Sequence, residues 1–148
     1  MSAVRRQRTI EERLTMNLQN IGVIGAGTMG NGIAQICAVA GINVTLLDIS
    51  AGALEKALTT VGKNLDRQVS KGILSEPQKH TALGKIRTST DYASLANAQW
   101  VIEAATENLE LKRRVLQQIA AHVDEQCVIA SNTSSLSITE LAAGVNAP

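Results

Sequence analysis

The run Gly25-Ala26-Gly27-Thr28-Met29-Gly30 has the residue types and spacing to do chemistry as a unit. A G-x-G-x-x-G turn that leaves a strand and opens a helix presents bare backbone N–H groups to a pyrophosphate. Each glycine has its own task. Gly25 permits the tight turn, Gly27 lets backbone approach the phosphates, and Gly30 lets helix pack closely on strand. Thr28 and Met29 lie in the same loop. A second chemical group is Asp48, 18 residues beyond Gly30, where a carboxylate can take both ribose hydroxyls of an adenosine. A 2′-phosphate there would meet a negative charge, and Ile49, Ser50 and Ala51 supply no arginine. The pattern favours NAD over NADP. Taken alone, the glycine run would read equally as an ordinary turn.

The elements around this pair support the first reading. Ile21 to Ile24 is an apolar strand. After the turn, Met29, Ile33, Ile36, Cys37 and Ala40 follow helical spacing, and Gly41 suits a helix C-cap. Asn43 to Asp48 is a second strand. Leu54, Leu58, Val61, Leu65 and Val69 predict a long helix over 50–71, stopped by Gly72. Ser75 and Pro77 then start a short helix to Leu83. The two make a helical hairpin, longer than a crossover needs, that can reach toward a substrate. Lys85 to Thr90 is a more polar strand, followed by a helical turn through Leu95. Gln99 to Ala105 is a buried strand, and Leu109 to Val123 a helix whose stripe, Leu109, Leu116, Ile119 and Val123, includes Lys112, expected to point along the sheet's carboxyl edge. Cys127 to Ala130 is a fifth strand, and a last helical segment follows, with Ser137 and Glu140 as its capping box.

Alternating strands and helices of this kind give an α/β fold, a Rossmann-type doubly wound parallel sheet with an inserted helical hairpin after the second strand. Ligands on such sheets bind at the carboxyl ends of the strands. Four polar groups gather there: the glycine turn, Asp48, Glu107 with Asn108, and Asn132 to Ser135.

Composition narrows the function classes. The chain has 148 residues and net charge +1, a length suited to one domain. Residues 1–20 hold Arg5, Arg6, Arg8 and Arg13 against Glu11 and Glu12, which leaves 10 basic and 11 acidic residues elsewhere. The folded part is near neutral and shows no nucleic-acid footprint. No apolar run reaches the ~20 residues of a membrane span. Cys37 and Cys127 fall on apolar stretches without CxxC partners, as buried free thiols of a reducing, cytoplasmic compartment do, and no metal site is expected. Residues 1–19 are expected to be a mobile leader or upstream extension, in which Glu11 and Glu12 count against an organelle presequence. Residues 20–148 form the expected domain.

These residues resemble the NAD-dependent L-3-hydroxyacyl-CoA dehydrogenases, especially the 3-hydroxybutyryl-CoA dehydrogenases. The resemblance runs from Asn20 to Pro148 through IGVIGAGTMGNGIAQ, VTLLD, VIEAATENLELK and IASNTSSLSIT. It implies that Gly25, Thr28, Met29 and Gly30 form the pyrophosphate loop and that Asp48 is the ribose acid. Glu107, Lys112 and Asn132 resemble residues lining the nicotinamide side. Ser134, the one candidate for the catalytic centre, is similar to a serine that hydrogen-bonds substrate and nicotinamide ribose. Lys71 resembles a lysine on the hairpin that contacts coenzyme A; Asn64 stands where the family often has a serine with the same task. The implied reaction is oxidation of a 3-hydroxyacyl-CoA to the 3-oxoacyl-CoA. The family's base is a histidine in a GxHFFNP-like strand expected just past Pro148, oriented by a glutamate. An all-helical second domain then completes the acyl-CoA cleft and the homodimer contact. Without that domain an apolar face and self-association of the chain are expected.

Plainer readings exist for each residue. Lys112 could be a rim lysine, Lys71 a solvated helix-end cation, Ser134 a turn cap and Glu107 a favourable helix N-terminal charge. His80 and His122 fall on helices away from the strand ends and read as non-catalytic. For the whole chain the alternatives are a free-standing module that holds NAD, and acyl-CoA, without turnover, and a different β-hydroxyacid dehydrogenase, disfavoured by Asn132 to Ser135 and the hairpin.

Overall fold

A computed structural model describes residues 18–106 and 108–131. Five parallel strands, β1 (Asn20–Ile24), β2 (Asn43–Leu47), β3 (Ile86–Ser89), β4 (Trp100–Glu103) and β5 (Val128–Ser131), lie in the order β3-β2-β1-β4-β5. The helices are α1 (Thr28–Val39), α2 (Ala51–Ser70), α3 (Glu76–Lys85) and α4 (Leu109–His122), with a 3-10 turn at Tyr92–Leu95. The helices cover both faces. One core joins Ile21, Val23, Val44 and Leu46 to Ala34, Ala38, Leu54, Val61 and Leu65 from α1 and α2. The other joins Ile24, Leu47 and Val101 to Leu95, Leu116 and Ile119. The strand order reverses at β1: β2 and β3 lie to one side, β4 and β5 to the other. That switch point is where such sheets bind nucleotides.

Turn chemistry sets the element ends. Ser50 caps α2 by accepting the Ala53 N–H at 3.1 Å. At its other end Gly72, at φ +74°, closes a Schellman motif, with Gly72 N–H donating to Val69 O and Ile73 N–H to Gln68 O. Ser75 and Gln78 form a capping box at α3, with Pro77 in the first turn. Lys79 of α3 pairs with Asp66 of α2 and ties the hairpin together. β3 is an edge strand, buried only at Ile86, as its polar sequence requires.

Three expectations need correction. The buried face of α1 is Gly30, Asn31, Ala34 and Ala38, while Met29 and Ile36 are 54% and 71% exposed. The reason is close approach: a Cβ on Gly30 would sit 1.7 Å from Gly25 O, so only small residues fit between α1 and the sheet. Ile33 and Cys37 pack at the flanks, and Cys37 and Cys127 are only half-buried. Burial still pushes the Cys37 thiol above its ordinary value. In α4, Leu109 of the expected stripe is exposed. At the chain's start, Leu18 packs on the core, Gln19 N–H donates to Gln99 Oε1 and Gln19 O accepts Asn43 N–H. Residues 1–17 and the expected last helical segment lie outside the described residues.

Gly30→Ala should lower stability by about 3 kcal/mol, because the neighbour it meets is backbone and cannot swing away. Urea unfolding of the two chains measures this, and an unchanged midpoint would contradict the packing described.

Candidate functional site

The glycine turn and the loop after β4 meet across the switch point. Gly25 has φ +105°, open to glycine and strained for other residues, and its N–H donates to Leu47 O at 2.8 Å. A Cβ there would come within 2.8 Å of Ala105 Cα and 2.9 Å of Ala104 O, so turn and loop touch backbone to backbone. Gly27 differs. Its φ of −72° suits any residue, and an added Cβ meets no atom of the described residues within 4 Å. Among the described residues neither conformation nor packing demands glycine at 27, which leaves room for the approach of a ligand.

That approach is electrostatically prepared. Gly27 is the N-cap of α1, no side chain among the described residues caps the helix, and its first turn holds no acid. The N–H groups that open the helix therefore point out without an intrahelical acceptor, at the positive end of the helix dipole. Thr28 and Met29 are exposed beside them. Asp48 stands next to this mouth. Its Oδ2 accepts Ala26 N–H at 2.9 Å and its Oδ1 accepts Ser50 N–H at 2.9 Å. Each oxygen keeps lone-pair capacity for a ribose hydroxyl.

Lys112 is neither a rim lysine nor a side chain open to the strand edge. It is fully buried, with Nζ 2.5 Å from Glu103 Oε1 and 3.4 Å from Ser131 Oγ. It shares its helical stripe with Leu116 and Ile119, which carries it under α4 onto the ends of β4 and β5. Glu103, its partner, escaped the sequence reading; the available signal was an acid ending the otherwise apolar strand Trp100–Glu103. Tyr92 was missed as well. Burial and then the charges of Asp48 and Glu103 push its hydroxyl above the usual tyrosine value, which places it in the field of both acids. Asn108 caps α4, accepting Leu111 N–H at 3.1 Å.

Glu107, Asn132 and Ser134 lie outside the described residues. Lys71 and Asn64 are not brought to the carboxyl edge. The 20 residues of α2 span about 30 Å, against about 17 Å for the 5 residues of β2. The exposed Lys71 therefore sits at the hairpin tip, past the sheet's amino edge. Asn64 donates to Gln35 Oε1 at 3.0 Å, tying α2 to α1. His80 is exposed on α3, and His122 bonds Gln118 O at 2.8 Å on α4. A cavity of about 310 Å³, lined by Asn43, Lys85, Arg87 and Asn97 among others, also opens at the amino edge and contains none of the candidate residues.

Residues 20–148 match the family described as 3-hydroxyacyl-CoA dehydrogenase, NAD binding domain. The chain belongs to that family. Its relatives include a 3-hydroxybutyryl-CoA dehydrogenase of Bradyrhizobium diazoefficiens, 44% identical over 88% of this chain and 45% of the relative. A 3-hydroxyadipyl-CoA dehydrogenase of Escherichia coli is 41% identical over 91% of this chain and 28% of its own length. Among solved structures, (S)-3-hydroxybutyryl-CoA dehydrogenase from Ralstonia eutropha superposes with a TM-score of 0.85 at 52% identity, covering 88% of this chain and 46% of that one. The chain thus spans about half the length, or less, of these relatives. As an NAD-binding domain of this family it takes NAD, and the open Gly27, the uncapped α1 and the acid at 48 fit that cofactor.

Two outcomes follow for the cofactor mouth. Gly27→Ala should cost about 1 kcal/mol of stability or less, since Ala is a poorer N-cap than Gly, yet weaken NAD clearly; calorimetry beside urea unfolding separates the two effects. NAD should bind more tightly than NADP, and Asp48→Ala should cost NAD about 1 to 3 kcal/mol through lost charged hydrogen bonds. Equal affinity of the unsubstituted chain for the two cofactors would remove Asp48 from that role.

Proposed function

We propose that this chain is the cofactor-holding part of an enzyme that oxidises (3S)-3-hydroxyacyl-CoA, with 3-hydroxybutyryl-CoA the favoured substrate, to 3-oxoacyl-CoA. The observation that carries this is the backbone-lined mouth at the β1/β4 switch point, with Gly27 open and Asp48 beside it, in a chain 44% identical to a 3-hydroxybutyryl-CoA dehydrogenase. NAD, when bound, supplies the hydride acceptor. The chain's own residues bind and orient. Gly25, Gly27, Thr28, Met29 and Gly30 hold the pyrophosphate on α1, and Asp48 holds the adenosine ribose. Lys112 supports the nicotinamide side from within the fold, together with Glu107 and Asn132. Ser134 orients the substrate hydroxyl; Lys71, with Asn64 nearby, meets the coenzyme A end.

Removing the hydroxyl proton is a separate task. It needs a base within hydrogen-bond reach. His80 is exposed on α3 and His122 lies on α4 beside the Tyr92 ring, while Asp48 and Glu103 are engaged with backbone N–H groups. The family resemblance implies a histidine as that base, oriented by a glutamate, and a second, helical domain that also forms the dimer. Exposed Met29, Ile49, Leu109 and Leu111 at the carboxyl edge suit the docking of such a domain, and self-association in its absence. None of the helices among the described residues is long and apolar enough to cross a membrane. A cytoplasmic role in fatty acid metabolism fits the substrate class.

The test compares the 148-residue chain with the product of its complete reading frame, both given NAD and 3-hydroxybutyryl-CoA, with NADH absorbance as the readout. The short chain should bind NAD and be at least about 10²-fold slower, the contribution of positioned acid-base catalysis. Turnover within about tenfold of the longer product would show that the base lies within these residues. NAD binding without turnover by either product would favour a binding module.

A further inference from the structure

We propose that Glu103 is a positioning residue for the cofactor cleft, acting through the backbone of residues 104–106 on the side away from Asp48. This rests on the NAD-binding assignment above and adds a residue to it. Glu103 is completely buried at the end of β4. Its Oε2 accepts Ala105 N–H at 2.6 Å and Thr106 N–H at 3.3 Å. Its Oε1 accepts from Lys112 Nζ at 2.5 Å and from Ser131 Oγ at 2.9 Å. These donors use the carboxylate's full acceptor capacity. A buried ion pair is poor evidence for stability, because desolvation offsets its attraction and apolar residues of similar size would often serve as well. Its geometry suggests a different use. The loop it holds is the one whose Ala104 and Ala105 backbone lies against Gly25.

The cleft thus has two lips held by separate acids. The glycine-turn lip is fixed from the β2 side, by Gly25 N–H on Leu47 O and Ala26 N–H on Asp48 Oδ2. The opposite lip, residues 104–106, is fixed by Glu103 alone among these carboxylates. Asp48 claims the adenosine ribose, so the rest of the dinucleotide extends toward β4 and β5, over the second lip. Disturbing Glu103 moves the lip that meets the far half of NAD and leaves in place the turn and the acid that ADP needs.

Calorimetric titration of the chain with NAD and with ADP tests this. Glu103→Gln puts an amide NH2 where a carboxylate oxygen accepted, so a donor faces either the loop N–H groups or the Lys112 and Ser131 side. The dissociation constant for NAD should rise about tenfold or more, with that for ADP within about twofold. Equal weakening of both ligands, as general loosening would give, overturns the proposal, and so does an unchanged NAD affinity. If circular dichroism shows that Glu103→Gln does not fold, Ser131→Ala decides, because it removes one donor to Oε1 and leaves the ion pair. A rise of about threefold in the NAD-to-ADP ratio of dissociation constants supports the assignment, and an unchanged ratio overturns it. NAD binding by the unsubstituted chain, read in the same series, checks the cofactor assignment separately.

Discussion

Everything at the switch point depends on backbone meeting backbone with no side chain between. Helix α1 starts so close to the turn that a Cβ on Gly30 would overlap Gly25 O, and Gly25 in turn touches the loop after β4. Close packing of this kind carries dispersion attraction along the whole contact, and a single methyl in the gap must move main chain, which is costly. The same constraint selects Ala34 and Ala38 farther along α1 and turns the larger Ile36 outward. Structure and binding are therefore one arrangement. Bringing the helix start against the strand end is what aims its unpaired N–H groups into the cleft.

Two acids flank that arrangement in the same way. Asp48 follows β2 and accepts an N–H two residues on, at Ser50; Glu103 ends β4 and accepts an N–H two residues on, at Ala105. Their surroundings separate them. Asp48 is only half-buried and reaches across to Ala26, so it can still meet a ligand. Glu103 is sealed by Lys112 and Ser131 and can act only through the backbone it holds. Tyr92 lies within the influence of both charges, from the short 3-10 turn that replaces a full crossover helix after β3.

The helical hairpin belongs to a different part of the molecule. Its length carries Lys71 past the amino edge of the sheet, and Asn64 and Lys79 make its contacts internal to the fold.

The sequence by itself determined the strand-turn-helix at the glycine run, the acid at 48, the cap at Ser75 and the alternation that makes a parallel sheet. All of these are local: periodicity, glycine spacing and capping chemistry act within a few residues and leave their mark in the order of amino acids. Only the tertiary structure decided which face of α1 is buried, because that follows from how near the sheet comes and not from the hydrophobicity of Met29 or Ile36. Only it showed that Lys112 is an interior cation. A lysine on an apolar stripe reads as a rim residue until a partner is found, and the partner, Glu103, lies on another element. Its loop contacts come from the packing of β4 beside β1, a pairing of segments nearly 80 residues apart at Ile21 and Trp100, which no local pattern encodes.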